Sequence, residues 1–159
     1  MAGDDHRGLL VVHSLSKQSN LAGYRAGFLA GDPRLVADIL QVRRHAGMIV
    51  PGPVQAAMVA ALGDDRHVEQ QRVRYAARRA VLWAALVDAG LHIEESAGGL
   101  YLWATRGEAC WDTVGWLADR GVLVAPGAFY GPAGSRHVRV ALTAADERIA
   151  AAVARLTRS

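Results

Sequence analysis

The apolar run Leu9-Leu10-Val11-Val12 follows a polar opening and is short enough to form a buried strand of a parallel or mixed sheet. A polar turn from Ser14 to Asn20 separates it from a second strand-like stretch, Leu21 to Ala30, whose Gly23 and Gly27 let backbone or ligand approach closely. Asp32 as N-cap with Pro33 at the first helical position then opens a helix. It turns Leu35, Val36, Ile39, Leu40 and Val42 inward and closes on Arg43-Arg44, whose charge suits the negative end of a helix. Val50-Pro51-Gly52-Pro53 is a break, and a short helix with Gln55, Met58 and Leu62 runs from it to Gly63-Asp64-Asp65. From about Arg66 to Ala89, Ala76, Ala80, Trp83, Ala84 and Val87 recur at helical spacing and leave Arg72, Arg74, Arg78 and Arg79 on a solvated face. Gly90 ends that helix.

Beyond Gly90 the rhythm changes. Leu91 to Glu95 predicts a strand, with Gly98 to Trp103 as its hairpin partner. A helix from about Cys110 to Arg120 places Trp111, Val114 and Leu117 on one side. Val122 to Ala125 predicts a short strand closed by Pro126-Gly127, His137 to Leu142 alternates strictly, and Ala144 to Leu156 forms a last helix. Two unequal parts follow. Residues 1–62 read as closing elements of a larger α/β sheet, since two strands make no independent sheet, and residues 63–159 as a compact α+β unit.

A chain of 159 residues with 52% apolar and 21% charged residues has the balance of a soluble globular domain and enough length to bury a core. Net charge is +3, and the arginines form no stripe interleaved with aromatics, so composition does not point to nucleic acid. The single cysteine, Cys110, rules out an internal disulfide and reads as a small buried hydrophobe in a reducing compartment. The opening Met1 to Arg7 lacks the apolar core of a secretory leader, and no stretch approaches membrane-spanning length. The expected location is the cytoplasm.

Of the 18 lysine and arginine residues, only Lys17 is a lysine. Arginine supplies positive charge but stays protonated, whereas lysine can become the neutral amine that attacks a carbonyl carbon. Lys17 lies between a strand-like run and a polar turn, with Ser14 and Ser16 beside it and Arg25 eight positions on. A return strand brings Arg25 back toward Ser14, so two hydroxyls and a guanidinium make a dianion site next to the amine. A phosphorylated aldehyde cofactor requires that arrangement.

Ser14-Leu-Ser-Lys17-Gln-Ser-Asn-Leu-Ala-Gly-Tyr-Arg25-Ala-Gly-Phe28 resembles the lysine signature of class I/II aminotransferases, the fold type I enzymes that use pyridoxal 5′-phosphate. Pro51 to Gln55, Gly98 to Trp103, Val124 to Gly127 and His137 to Leu142 resemble further segments of that family. The resemblance implies an α/β fold, the C-terminal part of a fold type I enzyme: residues 1–62 as the last strands and helices of the large cofactor-binding domain, residues 63–159 as the small domain. It implies that Lys17 forms the Schiff base with the cofactor and shuttles the α-proton, and that Ser14 and Arg25 hold the phosphate, with Ser16 beside them. Arg139 would clamp the substrate α-carboxylate; Val138, Val140 and Leu142 share one strand face and leave it on the other. Small amino-acid and 2-oxo-acid substrates, and a homodimer at full length, are implied as well.

Val12 to Lys17, Arg44 to Met48 and Ala125 to Pro132 are worded most like the succinyldiaminopimelate transaminases of high-GC actinobacteria, enzymes of lysine biosynthesis that use glutamate as amino donor. The family also places an aspartate under the pyridine nitrogen, a tyrosine at the ring hydroxyl and a stacking aromatic ahead of the lysine. None is found here, because Asp4 and Asp5 lie too close to Lys17. The chain alone is therefore expected to be weak or inactive, and exposed apolar surface from Leu9 to Phe28 to favour self-association or an N-terminal partner. The competing expectations are a pyridoxal-phosphate β-lyase or racemase of the same fold, and a non-catalytic remnant that serves as an interaction module.

Overall fold

The structure is a computed structural model that describes residues 5–157; the leader residues Met1 to Asp4 discussed above lie outside them. The chain divides into two compact units, Met1–Gln70 and Gln71–Ser159. The boundary falls inside a long helix, beyond the turn at residues 62–63.

In the first unit, β1 (Leu10–Ser14) pairs antiparallel with β2 (Gly27–Gly31), in register from Leu10 opposite Gly31 to Ser14 opposite Gly27. A Cβ on Gly27 would meet the His13 carbonyl oxygen at 2.6 Å, so only glycine allows the strands this approach. The segment expected as a polar turn is a one-turn helix, α1 (Leu15–Gln18), because the Ser14 side chain caps it and Leu15 sinks fully into the interior. The second strand begins at Gly27 rather than Leu21. Ala22–Tyr24 winds into a 3-10 turn, and Arg25 takes a left-handed backbone with φ of 52°, which no strand continues through.

Helix α2 (Pro33–His45) starts as expected, with the Asp32 carboxylate accepting from the Arg34 amide at 2.9 Å. None of its residues is fully buried: of the face expected to point inward, Leu35, Val36 and Ile39 are half-buried while Leu40 and Val42 are exposed, Val42 by 68%. The expected burial of the first strand fails in the same way, with Val12 77% exposed. A five-residue, two-stranded ribbon has too little area to cover a helix and both of its own faces. Among the described residues, the unit's buried apolar side chains are Leu15, Ala26 and Met58, the last from α3 (Gly52–Leu62), packed with Leu21, Phe28 and Val54.

The second unit has a conventional core. Strands β3 (His92–Glu94), β4 (Tyr101–Thr105), β5 (Ala125–Pro126) and β6 (Val138–Ala141) form an antiparallel sheet in the order β3-β4-β6-β5. Leu102, Ala104, Val138 and Val140 pack beneath it against Leu82 and Leu86 of α4 (Asp65–Asp88), Leu117 of α5 (Cys110–Asp119) and Ile149 and Leu156 of α6 (Asp146–Leu156). Each leucine, isoleucine and valine among them contributes about 1.5–3 kcal/mol on leaving water. Cys110 is buried among them.

Two expectations for the helices are corrected. Helix α4 buries Leu82, Ala85 and Leu86, with Trp83 partly covered, while Ala76, Ala80, Ala84 and Val87 face out. Alanines tolerate either side, and the larger leucines decide. Arg78 and Arg79 are consequently half-buried, and their guanidinium groups are engaged. The Arg78 guanidinium donates to Asp146 at 2.6 Å and to the Leu142 carbonyl at 3.1 Å, and Arg79 donates to the carbonyls of Ser96 and Gly99. In α5 the buried set is Cys110, Thr113 and Leu117, and Trp111 lies outside. The expected strand at Val122 to Ala125 shrinks to Ala125–Pro126, which alone pairs with β6. No described helix is long and apolar enough to cross a membrane.

Candidate active site

Lys17 stands on α1 with its side chain exposed, one helical turn beyond Ser14. Ser14 Oγ lies 2.9 Å from Ser16 Oγ and 3.4 Å from the Ala26 carbonyl oxygen, and it accepts from the Ser16 amide at 3.2 Å. Both hydroxyls are thus fixed at the end of the ribbon where β1 gives way to the helix. Arg25 is at that same end, two residues before Gly27, the register partner of Ser14. Its guanidinium donates to the Ala22 carbonyl at 2.9 Å, so it leans on its own turn rather than on the hydroxyls.

Ser14, Ser16 and Lys17 thus stand together at the start of α1, and the Arg25 backbone lies at the same end of the ribbon while its guanidinium keeps further donors. One contact escaped the reading of the sequence. His13 lies across the ribbon from Phe28, ring centroids 5.4 Å apart, and meets Gln18 Oε1 through Nε2 at 2.5 Å, tying β1 to α1. Hairpin register was the signal that could have shown it. His67 of α4 reaches Ser19 Oγ at 2.9 Å just after α1.

The chemistry of this set fits one end of a phosphorylated aldehyde. Two hydroxyls, a main-chain amide, a guanidinium and an amine supply donors and positive charge, as a phosphate dianion and a neighbouring carbonyl require. The opposite end of such a group calls for a carboxylate, and among the described residues the acids flanking β1 and β2 are already engaged. Asp5 is paired with Arg7 at 2.7 Å, and Asp4 lies outside the described residues. Buried Asp32 accepts from the Gly8 and Arg34 amides, both at 2.9 Å. Those amides, Gly8 first, hold its carboxyl below the ordinary carboxylate range against the opposing effect of burial.

In the second unit, Arg139 is on the sheet face opposite the core. Glu94, Trp103, Arg139 and Ala125 lie in one row across the four strands. Arg139 Cζ sits over the Tyr101 ring, 4.1 Å from its centroid, and over the Tyr130 ring at 4.8 Å. Its Nε is buried and meets no acceptor among the described residues. Trp103 stacks on His137 with centroids 5.2 Å apart and planes 8° apart, and meets Tyr130 edge-on at 5.9 Å. His137 Nε2 is 3.3 Å from Glu94 Oε2, without the angle of a hydrogen bond. The sequence had given no role to these aromatic residues. Tyr101 and Trp103 alternate with buried Leu102 and Ala104, which was the available signal.

Comparison with known proteins gives a consistent picture. The chain is 69% identical over 153 residues to a probable aminotransferase of Mycobacterium tuberculosis, covering 96% of this chain and 37% of that protein. It is 68% identical over 157 residues to the 4-dedimethylamino-4-oxo-anhydrotetracycline transaminase OxyQ of Streptomyces rimosus, covering 99% of this chain and 44% of that one. An LL-diaminopimelate aminotransferase of Dehalococcoides mccartyi is 32% identical over 151 residues, covering 92% of this chain and 39% of its own length. Among solved structures, an aminotransferase from Staphylococcus aureus superposes with a TM-score of 0.81 at 30% identity, over 93% of this chain and 40% of its own. The chain thus spans about two fifths of the length of the relatives it matches, and its mixed α/β structure is a portion of the fold type I architecture. The family described as aminotransferase class I and II, whose members depend on pyridoxal phosphate, matches residues 1–156, and the chain belongs to it.

Proposed function

We propose that this chain is the C-terminal part of a pyridoxal-phosphate-dependent aminotransferase, with residues 1–62 closing its large domain and residues 63–159 forming its small one. The observation that carries this reading is the lone lysine one turn past a serine-capped helix start, with Ser14 and Ser16 hydroxyls 2.9 Å apart beside it. When bound, pyridoxal phosphate supplies an aldehyde that condenses with amines and a conjugated ring that spreads the negative charge left at a substrate α-carbon. Ser14, Ser16 and Arg25 would hold the phosphate. Lys17 Nζ would hold the aldehyde end and, as a free amine, carry the proton taken from the substrate α-carbon. Arg139 binds the substrate α-carboxylate through the edge of its guanidinium.

The substrates we infer are glutamate as donor and N-succinyl-2-amino-6-oxopimelate as acceptor, in a cytoplasmic homodimer at full length. Supporting this are the wording of Val12 to Lys17 and Ala125 to Pro132 and the diaminopimelate aminotransferases among the relatives. The 68% identity to OxyQ favours a second reading, amino transfer to a polycyclic ketone. A β-lyase of the same fold, or an interaction module without catalysis, would share the fold and differ in product or lack one.

The test is reductive labelling. The chain is mixed with pyridoxal phosphate, reduced with borohydride, digested and weighed peptide by peptide. The expected result is one pyridoxyl addition on the peptide containing Lys17, none on that segment after Lys17→Ala, and little turnover of glutamate with either acceptor by the chain alone. Labelling confined to the terminal amine would overturn the role of Lys17, and rapid turnover would overturn the expectation of a dependent fragment.

A further inference from the structure

We infer that Tyr101 and Tyr130 are positioning residues for Arg139: their rings hold its guanidinium in place for an incoming carboxylate, an inference that rests on the carboxylate reading of Arg139. An arginine poised to bind an anion must be fixed without being neutralised. A partner carboxylate would fix it but would compete with the ligand. Aromatic rings fix a cation through their π faces and leave its charge and its in-plane N–H donors available. The surroundings of Arg139 have this form. Its Cζ lies 4.1 Å and 4.8 Å from the two tyrosine ring centroids, and its buried Nε meets no acceptor among the described residues.

The rings are themselves held. Tyr101 is on β4, directly beside β6 in the sheet. Tyr130 closes a 3-10 turn, Gly127–Tyr130, whose Gly127 amide donates to the His137 carbonyl at 2.7 Å. A Cβ on Gly127 would collide with the carbonyl oxygens of Gly134 and His137 and with the Trp103 ring, so the turn is pressed against the sheet. Trp103, clamped flat on His137, then presents its ring to Tyr130 edge-on. Ordering the guanidinium in advance removes an ordering cost from ligand binding.

The experiment uses the full chain labelled with nitrogen-15 and glutarate as the probe. The Nε–Hε signal of Arg139 is identified by its loss in Arg139→Lys and followed through the titration. Tyr101→Leu and Tyr130→Leu are each expected to weaken glutarate binding about fivefold, which is about 1 kcal/mol where tenfold is 1.4. Both should also remove the ring-current displacement of the Arg139 signal, while Tyr101→Phe, which keeps the ring, restores both properties. Unchanged affinity and an unmoved signal in the leucine variants overturn this inference and leave the carboxylate reading intact. A wild-type Arg139 signal that ignores saturating glutarate overturns the carboxylate reading, and this inference with it. Should Tyr101→Leu fail to fold, the half-exposed Tyr130 decides the matter.

Discussion

Asp32 is a buried carboxylate held by two main-chain amides, which makes the pH dependence of the first unit concrete. Its folded-state value is depressed below 3.8, the ordinary value that it regains when the chain unfolds. The stabilisation it gives is therefore complete above about that ordinary value and is lost as pH falls below it toward the folded value. Protection of the β1 and α2 amides, taken relative to the intrinsic exchange rate at each pH, is expected to fall on acidification through that window. In Asp32→Asn, exchange should be faster at neutral pH and the acid response smaller. At the same scale, Asp32 was legible as an N-cap because Asp-Pro is a local signal. Its bond to Gly8, 24 positions away, was not, because it depends on how β1 enters the ribbon.

Element by element, the second unit is tied together by side chains that looked like surface. Arg79 joins α4 to the turn between β3 and β4 through two carbonyls, and Arg78 joins it to the start of α6. Arg79→Ala leaves those carbonyls without their donor, and an expected loss of about 1–3 kcal/mol in a denaturant melt would report it. Alanine spacing had placed both arginines in solvent because small residues mark a helix without marking its buried face. Helix starts, the strict alternation of β6 and the hairpin of β3 with β4 were readable from local pattern. The 3-10 turn at Ala22–Tyr24 was not. It is set by the left-handed backbone of Arg25, a conformation that a residue of this type does not announce.

Taken whole, the chain joins one unit with an extensive core to another whose fully enclosed residues are few. Amides of β4 and β6 are accordingly expected to exchange with solvent water much more slowly than those of β1 and β2, measured in one hydrogen-exchange experiment at neutral pH. Equal protection would mean that the exposed Leu9, Val11 and Val12 are covered in solution, as self-association would do. The lysine signature was readable at this scale because it is contiguous. The aromatic frame of Arg139 was not, because its members are separated along the chain and meet only when β4, β6 and the Gly127–Tyr130 turn come together.

Lys17, alone of its kind and exposed on α1, has a practical corollary. An acylating reagent finds a single ε-amino target in this polypeptide, so its rate of modification followed across pH reads out the basicity of one nitrogen. Attaching a fluorophore there requires no engineering. Because the attachment point is the proposed reacting atom, a dye that pyridoxal phosphate keeps off would report occupancy of the site by colour alone.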